Sequence, residues 1–564
     1  MKKHSSYTAV KSQKDRMKKS SQKATTRQGF IKWLPLIVLS AALMIIIIDT
    51  TVLNVSIRNI IDDLDTNVQN IQWVISAYSL TLAALTVTGG RLGDLFGRKR
   101  MFILGAILFA IGSVITSFAP TIAWIIFGNA IIEGIGAALM MPATSALLVN
   151  NYRGKDRALA FAIWGAVAAS AAAIGPILGG YLTAHYSWRW AFRINLVVVA
   201  LLLYGSKYVV EAREKAKKIE LDGIGILLSS VGLVSVVYGF IESSTYGWGK
   251  SKVPFAIFGH SATPFGISIA LITIVLGLLL LLLFVFFEYK HEANGHIPLV
   301  SIGLFKNKQF TAGTFTTALL ALGQTGLIFS IPIFYQSVLR LDAFHTGLGL
   351  VPLSIAIMIG APASLKLTRW LLPKRIIQLG FVISTIGAVM TYSALGVNAT
   401  VWTLAPGLFV YGLGLGFGFS QLGNLTLSAV SVKQSGEASG VNNTVRQVGA
   451  SFGSAIIGAA LIATLTSGVV TKLESSQVIP AQAKPKILRA VKAAGSNIEF
   501  ESPISGGRTP EPIKQEITRS IHEATVDGSK VALLFTAGFS VLALAFSQLL
   551  PSIKDLETAV EAEL

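Results

Sequence analysis

The sequence predicts an all-α polytopic membrane protein, and three observations carry that prediction. Of 564 residues, 52% are hydrophobic and only 13% charged, with a mean hydropathy of +0.64, which lies outside the range of soluble globular chains. The apolar residues gather into runs of about twenty, the length that matches a bilayer core. The cations fall in short clusters between those runs. The densest cluster is GGRLGDLFGRKR, Gly89 to Arg100, set between apolar segments on both sides. Its Arg91, Arg98, Lys99 and Arg100 would each cost roughly 2.5–3.5 kcal/mol at the centre of the hydrocarbon, so the stretch reads as a tight basic loop on the cytoplasmic face.

Taking the chain in order, residues 1–32 carry ten Lys or Arg against one acid, Asp15, with no small-residue cleavage site before the first apolar run. They read as a disordered cytoplasmic tail whose cations face anionic lipid. Fourteen segments long enough to span follow, at about 33–57, 70–90, 101–119, 122–146, 157–182, 188–209, 223–241, 266–287, 309–336, 345–365, 374–395, 402–427, 438–466 and 529–550. An even count returns the C-terminus to the cytoplasm and predicts which loops are basic. Arg153, Lys155 and Arg157 sit in the fourth-to-fifth loop, Lys207, Arg213, Lys215, Lys217 and Lys218 in the sixth-to-seventh, and Lys366, Arg369, Lys374 and Arg375 in the tenth-to-eleventh. The first outer loop carries Asp62, Asp63 and Asp65 instead. The outer segment 467–528 is too long for the charge rule; within it Ile513, Ile517 and Ile521 recur every four residues, as in a short amphipathic helix lying over the outer face.

The basic loop between spans ten and eleven has the place and charge of the Gly89–Arg100 stretch without its glycines or aspartate, as a decayed internal repeat would look. The resulting division is a cytoplasmic tail at 1–32, a six-helix domain at 33–210, two inserted helices with their loops at 211–308, a second six-helix domain at 309–550 that includes the outer loop, and a tail at 551–564. The net charge of +19 follows the positive-inside rule rather than a nucleic-acid footprint, and with no cysteine there is no disulfide, thiolate metal site or cysteine nucleophile.

Ionisable groups inside apolar spans are expensive and mark function by default. Asp49, in the outer half of the first span, and Glu133, near the middle of the fourth, are the two acids so placed. A carboxyl whose surroundings alternate between wet and dry can take up and release a proton, and its ionised form can pair with a cationic substrate. The structural alternative is an acid pinned by Thr50, Asn54 or Asn129. The fifth span carries Gly165, Gly175, Pro176, Gly179 and Gly180; Gly175 and Gly179 form a small-residue face for close helix approach, and Pro176 permits a bend. Asn443, Arg446 and Gln447 share one face at the cytoplasmic end of the thirteenth span, where Arg446 either neutralises an anion or snorkels to the interface. Asn54, Gln324, Gln421 and Asn424 suit cavity lining or interhelical hydrogen bonds.

Soluble-enzyme motifs fail: GLGLGFGFSQLG, Gly412 to Gly423, lies inside a span with no strand before it, and Gly249-Lys250-Ser251 lacks the earlier glycine of a phosphate loop, Ser244 standing there. No enzyme and no bound cofactor are expected, and any pumping must draw on an ion gradient.

With these residues in view the chain resembles the fourteen-helix drug:proton antiporter group of the major facilitator superfamily over nearly its whole length. Gly90, Asp94, Gly97, Arg98 and Arg100 match the loop motif between helices two and three. Asp49-Thr50-Thr51-Val52-Leu53-Asn54 matches the first-helix motif, Gly175-Pro176 with Gly179-Gly180 the antiporter motif, and Trp188-Arg189-Trp190 with Phe192 and Asn195 the segment opening helix six. The resemblance implies a 6+2+6 major facilitator fold with a central cavity open alternately to each face. It also implies a cytoplasmic latch formed by the aspartate and arginines of the loop, and a first-helix acid serving proton coupling or cation recognition. The chain departs from the group in helix four, where Ala130 stands at the position of an arginine and Glu133 at that of a glutamine. No acid lies inside helices ten or thirteen, where exporters of multivalent cations in the family carry one.

The expectation is proton-coupled export of an amphipathic small molecule across the cell membrane by a monomer embedded in the bilayer, driven by the proton gradient and independent of nucleic acid. The alternative is translocation of a lipid or lipid precursor on the same fold, with residues 467–528 handing substrate on; a third reading is a non-transporting sensor.

Overall fold

Backbone groups in hydrocarbon have no water to bond, so apolar runs of this length close their hydrogen bonds within helices. The computed structural model describes residues 32–152, 154–211, 222–253, 255–257, 260–261, 266–296, 298–430, 435–494 and 510–550. The basic N-terminal tail and the tail at 551–564 lie outside these residues, as do the cations predicted at 213–218. The regular structure of the described residues is helical, apart from a two-residue antiparallel ladder pairing Ala256–Ile257 with His260–Ser261 and an isolated bridge between Lys250 and Ile267.

The first span is α1, Lys32–Val55, followed by a short far-side helix α2, Ile57–Leu64. Next come α3, Val68–Phe96, and α4, Arg98–Ser117. The fourth span is composite: α5, Ile122–Ile125, then a π-helical segment Ile126–Glu133, then α6, Gly134–Asn151. The fifth and sixth are α7, Gly154–His185, and α8, Arg189–Gly205. The helices α9, Gly223–Tyr246, and α10, Ile269–Ala293, pack on each other, and α10 turns nearly all its surface outward, with only 11% of its apolar window buried in the protein. The remaining helices are α11, Lys308–Ser337, the broken pair α12, Ala343–Gly349, and α13, Val351–Leu367, then α14, Pro373–Ala394, α15, Val401–Ser428, α16, Ser435–Ser475, α17, Lys484–Ala494, and α18, Glu511–Phe546. Thirteen of the described helical stretches are long and apolar enough to cross a membrane. The 32-residue α7, described in part, occupies the place of the remaining predicted span.

Two expectations are corrected. The Gly89–Arg100 stretch is not a loop: α3 continues through residues 89–96, and the whole turn is Gly97, at φ 103°, before α4 starts at Arg98. Glycine is required there because that backbone conformation disfavours a Cβ. The turn is held by Glu211, which accepts the N–H of Lys99 at 3.3 Å near the start of α4.

The isoleucines of the outer segment likewise form no separate surface helix. Ile513, Ile517 and Ile521 belong to α18, which runs without a break from Glu511 into the membrane. At 1.5 Å per residue the 41 residues of α16 and 36 of α18 extend well beyond a hydrocarbon layer of ~30 Å. Their projecting ends and α17 enclose a small core of their own, with Leu465, Val469, Leu473, Ile487, Val491 and Ile517 buried. The four-residue spacing of the isoleucines is the inward stripe of that bundle.

The helices before α9 meet those after α10 through polar contacts on the face that carries α2, termed the far face; the opposite one, at Gly97, is the hairpin face. Gln72 on α3 donates to the carbonyls of Ser454 and Ala455 on α16 at 2.8 and 2.9 Å, and the hydroxyls of Ser76 and Ser454 lie 2.6 Å apart. Gln336 on α11 donates to the Val55 carbonyl at 2.9 Å and accepts the N–H of Arg58 at 3.0 Å.

Candidate functional site

Asp49 and Glu133, about eighty residues apart in sequence, are brought onto one amide. The side-chain nitrogen of Asn129 donates to Asp49 Oδ2 at 2.8 Å and to Glu133 Oε2 at 2.6 Å, which uses both of its hydrogens. The Ser113 hydroxyl donates to Glu133 Oε1. Asn195 donates to Ser113 Oγ at 3.1 Å and, at 3.4 Å, to Asp49 Oδ1. Asp49, Asn129, Glu133, Ser113 and Asn195 therefore form a closed hydrogen-bonded ring drawn from α1, the fourth span, α4 and α8. All five are buried, Asp49 least so at 4% exposure.

The local backbone explains how the fourth span reaches the ring. Asn129 and Glu133 both lie in the π-helical segment, a departure from α geometry that is frequent at functional sites. The segment crosses α4 with little separation, since a Cβ at Gly112 would stand 2.5 Å from Glu133 Cγ and one at Gly128 2.6 Å from Thr116 Oγ1. Close crossing places Ser113, next to Gly112, against Glu133.

No lysine or arginine pairs with either acid among the described residues. Ala130, standing where the family resemblance expects an arginine, is buried and apolar. Two negative charges on one amide, far from water and without a cation, would repel strongly. Among the described residues two polar atoms at the site are unused: Asn129 Oδ1 has no donor, and the hydroxyl of Tyr78, on α3, has no partner. Asn129 thus does pin both acids, as the structural alternative held, and one amide serves the two carboxyl groups together.

The other sequence candidates divide into groups. Gly175 and Gly179 lie against Thr51 and Val52 of α1, while Gly180 and Pro176 meet Ala343 and Gly347 of α12, so this motif packs α7 against both α1 and the later helices. Asn54 donates to the Thr50 carbonyl of its own helix at 3.1 Å and joins no cluster. Gln421 bonds Ser364 Oγ at 3.1 Å, an interhelical link from α15 to α13. Gln324, Asn443 and Arg446 are partly buried and Gln447 is buried, and Arg446 forms no ion pair among the described residues. None of these joins the ring. Gly90 and Gly97 lie at the hairpin; Arg98 makes interactions there, and Arg100 is exposed. The side chains of Asp94 and Asn424, and the surroundings of Gly165, lie outside the described residues. Arg91 reaches across to the Pro298 carbonyl at 3.1 Å, in the linker after α10.

Sequence reasoning missed Ser113 and Tyr78 as site residues, and Gln72 and Gln336 as far-face contacts. Single polar residues in apolar helices are common, and only their places in the packed structure distinguish these four. Trp188 and Arg189 anchor the far face, both bonding Asp63, with Arg189 also donating to the Ala119 carbonyl at 3.0 Å.

Residues 39–454 match the family model of the Major Facilitator Superfamily. The chain is 30% identical over 448 residues to the multidrug efflux pump LfrA of Mycolicibacterium smegmatis, covering 79% of this chain and 84% of that one. It is 28% identical over 533 residues to the multidrug resistance protein Stp of Mycobacterium tuberculosis, covering 93% of each. A similar fold is seen in a bacterial homologue of the human lysosomal transporter Spinster in an inward-facing, unoccupied conformation, with a TM-score of 0.58, 14% identity, and 93% of this chain and 99% of that one covered. The match covers most of the chain, the fold agrees, and the protein, a multi-pass membrane transporter rather than an enzyme, belongs to the major facilitator superfamily.

Proposed function

We propose that the protein is a proton-coupled exporter of amphipathic small molecules, working by alternating access between two six-helix halves with α9 and α10 inserted between them. The observation that carries this reading is the sharing of one buried amide by Asp49 and Glu133 without a cation. Because two adjacent buried carboxylates repel, the ring holds a proton in one state and gives it up when water or a cationic substrate reaches it. The ring ties four helices together, so a change in its charge alters how those helices pack, which is the link from proton to conformation that coupling needs. The polar contacts joining the halves lie toward the far face, an arrangement that suits a state open at the hairpin face. Relatives named for multidrug efflux and for resistance support small-molecule export as the task.

Substrate-driven proton movement in vesicles tests this. Asp49→Asn and Glu133→Gln, which keep side-chain size and one acceptor oxygen, are expected to abolish it at unchanged expression. If both variants still couple, the two acids do not carry the proton. A substrate panel that includes lipid and lipid precursors decides between drug export and lipid translocation.

A further inference from the structure

A second pair of buried acids lies where α9 begins and α10 nears its end, at the hairpin face. Asp222 caps α9: its Oδ1 accepts the N–H of Gly225 at 2.8 Å, placing the carboxylate at the positive end of the helix. Its Oδ2 is buried without a donor. Glu288 of α10 is fully buried; Oε2 accepts the N–H of Val300 at 3.4 Å, and Oε1 has no donor. The two orphaned oxygens converge over Gly225, where a Cβ would collide with each, and the carboxyl groups are within hydrogen-bond reach of one another. Two acceptors in contact form a hydrogen bond only when one of them carries a proton.

We propose that Asp222 and Glu288 bind one proton between them, a second proton site that ties α9 to α10 and to the linker at 298–303. The proton sits on Glu288 Oε1 and is donated to Asp222 Oδ2, whose negative charge is already favoured by the Gly225 N–H and the start of α9. When it leaves, two buried carboxylates face each other, and the contact that holds Val300 to Glu288 opens.

Among the described residues, the surrounding charges are otherwise engaged. Glu292 accepts from Ser301 Oγ at 2.9 Å and the N–H of Gly303 at 3.2 Å. Lys290 lies over the Phe286 ring, His291 stacks on Phe287 and on His296, and Tyr289 is exposed. From α3, Arg91 bonds the Pro298 carbonyl, and from α16, Arg446 pairs with neither acid. Glu242, on the same helix as the Asp222 cap, is held at the far end by Trp73 and Gln69. The site is separate from Asp49 and Glu133 and does not depend on the coupling proposed for them.

The chain has no cysteine, so a single Val300→Cys reports on the linker alone. Its labelling by a membrane-impermeant maleimide in inside-out vesicles is measured between about pH 5 and 9 and divided by that of an exposed Trp370→Cys on the same face, which removes the thiol's own ionisation. The normalised rate is expected to rise about fivefold or more in one single-proton step as pH increases. Glu288→Gln, whose amide N–H replaces the shared proton, is expected to hold it low and flat, and Asp222→Asn to remove the step as well. Infrared spectra of the purified protein are expected to lose one protonated-carboxyl band in Glu288→Gln and keep it in Asp49→Asn/Glu133→Gln, whether or not labelling is altered by folding. A flat profile in the parent, a step that survives Glu288→Gln, a step lost in Asp49→Asn/Glu133→Gln, or a step abolished by chelators would each overturn the proposal, the last by making the ligand a metal cation.

Discussion

Two helix crossings in this protein share a register to within one residue and have opposite chemistry. In the first, α4 presents positions 105, 109, 112 and 116 to positions 140, 136, 133 and 128 of the fourth span. In the second, α14 presents 380, 384, 387 and 391 to 418, 414, 411 and 407 of α15. The offsets along α4 and α14 are identical. Those along the partners differ by one residue, which falls between Gly128 and Glu133, inside the π-helical segment. The counterpart of Glu133 is Tyr411, that of Ser113 is Ala388, and that of Asn129 is Leu408. All three counterparts sit in one apolar cluster, where the first crossing holds a ring of acids, amides and a hydroxyl. A glycine-lined crossing therefore serves as a common frame, and one inserted residue with three polar residues sets a buried hydrogen-bonded ring where the second half has apolar packing. The coupling proposed above accordingly places proton handling in the first half.

The largest test removes the inserted residue. Deleting Ala130 restores the four-residue step seen in α15 and turns Asn129 relative to Glu133, from four residues away in a π turn to three in an α turn. Substrate-driven proton movement is expected to fall by about 100-fold or more, the scale of an ångström-sized misplacement at a reacting centre. The glycine contacts survive in the shorter register, so the thermal midpoint is expected to stay within roughly 5 °C of the parent. A deletion variant that still couples would show that the π segment is incidental to the ring.

A smaller effect is expected from Ser113→Ala, which gives the first crossing the residue of the second. Glu133 Oε1 then loses its hydroxyl donor, a deficit of about 1–3 kcal/mol, and coupling should drop by roughly tenfold in the same vesicle assay. The reverse change, Ala388→Ser, should gain nothing, because a hydroxyl there satisfies itself on its own helix, as Ser384 and Thr391 do at 2.9 and 2.8 Å on the carbonyls four residues back. If Ser113→Ala leaves coupling intact, Asn129 alone is enough to hold Glu133.

How much of this was legible in the sequence follows from what each signal requires. Span positions follow from apolar length alone, and the two acids announced themselves by their cost in hydrocarbon. The ring did not, because Asn129, Ser113 and Asn195 are ordinary polar residues until the crossing at Gly112 and Gly128 places them together. The inserted residue was invisible for a sharper reason: hydropathy is insensitive to a single extra residue in a helix, and the repeat shows only when contact registers are compared. At Gly97 the error ran the other way. Charge density at Gly89–Arg100 suggested a loop, yet cations at a membrane surface are compatible with helix, and only one residue was needed for the turn. The isoleucine spacing at 513–521 correctly marked an amphipathic helix but could not say that its partner was a neighbouring helix end rather than the bilayer surface.

The smallest expected effect is the one that confines proton handling to one crossing. Tyr411 is buried at the position equivalent to Glu133, and its hydroxyl forms no hydrogen bond among the described residues. Tyr411→Phe keeps the ring that packs in the apolar cluster and removes the one polar atom through which this position could relay a proton. Stability is expected to change by no more than about 1 kcal/mol, and coupling by less than about twofold, since no partner is left unsatisfied. Glu133→Gln, a change of similar size at the matching place, is expected to abolish coupling. Equal losses in the two variants would mean that the proton route runs through both halves, and the assignment of the chemistry to the crossing with the extra residue would fail.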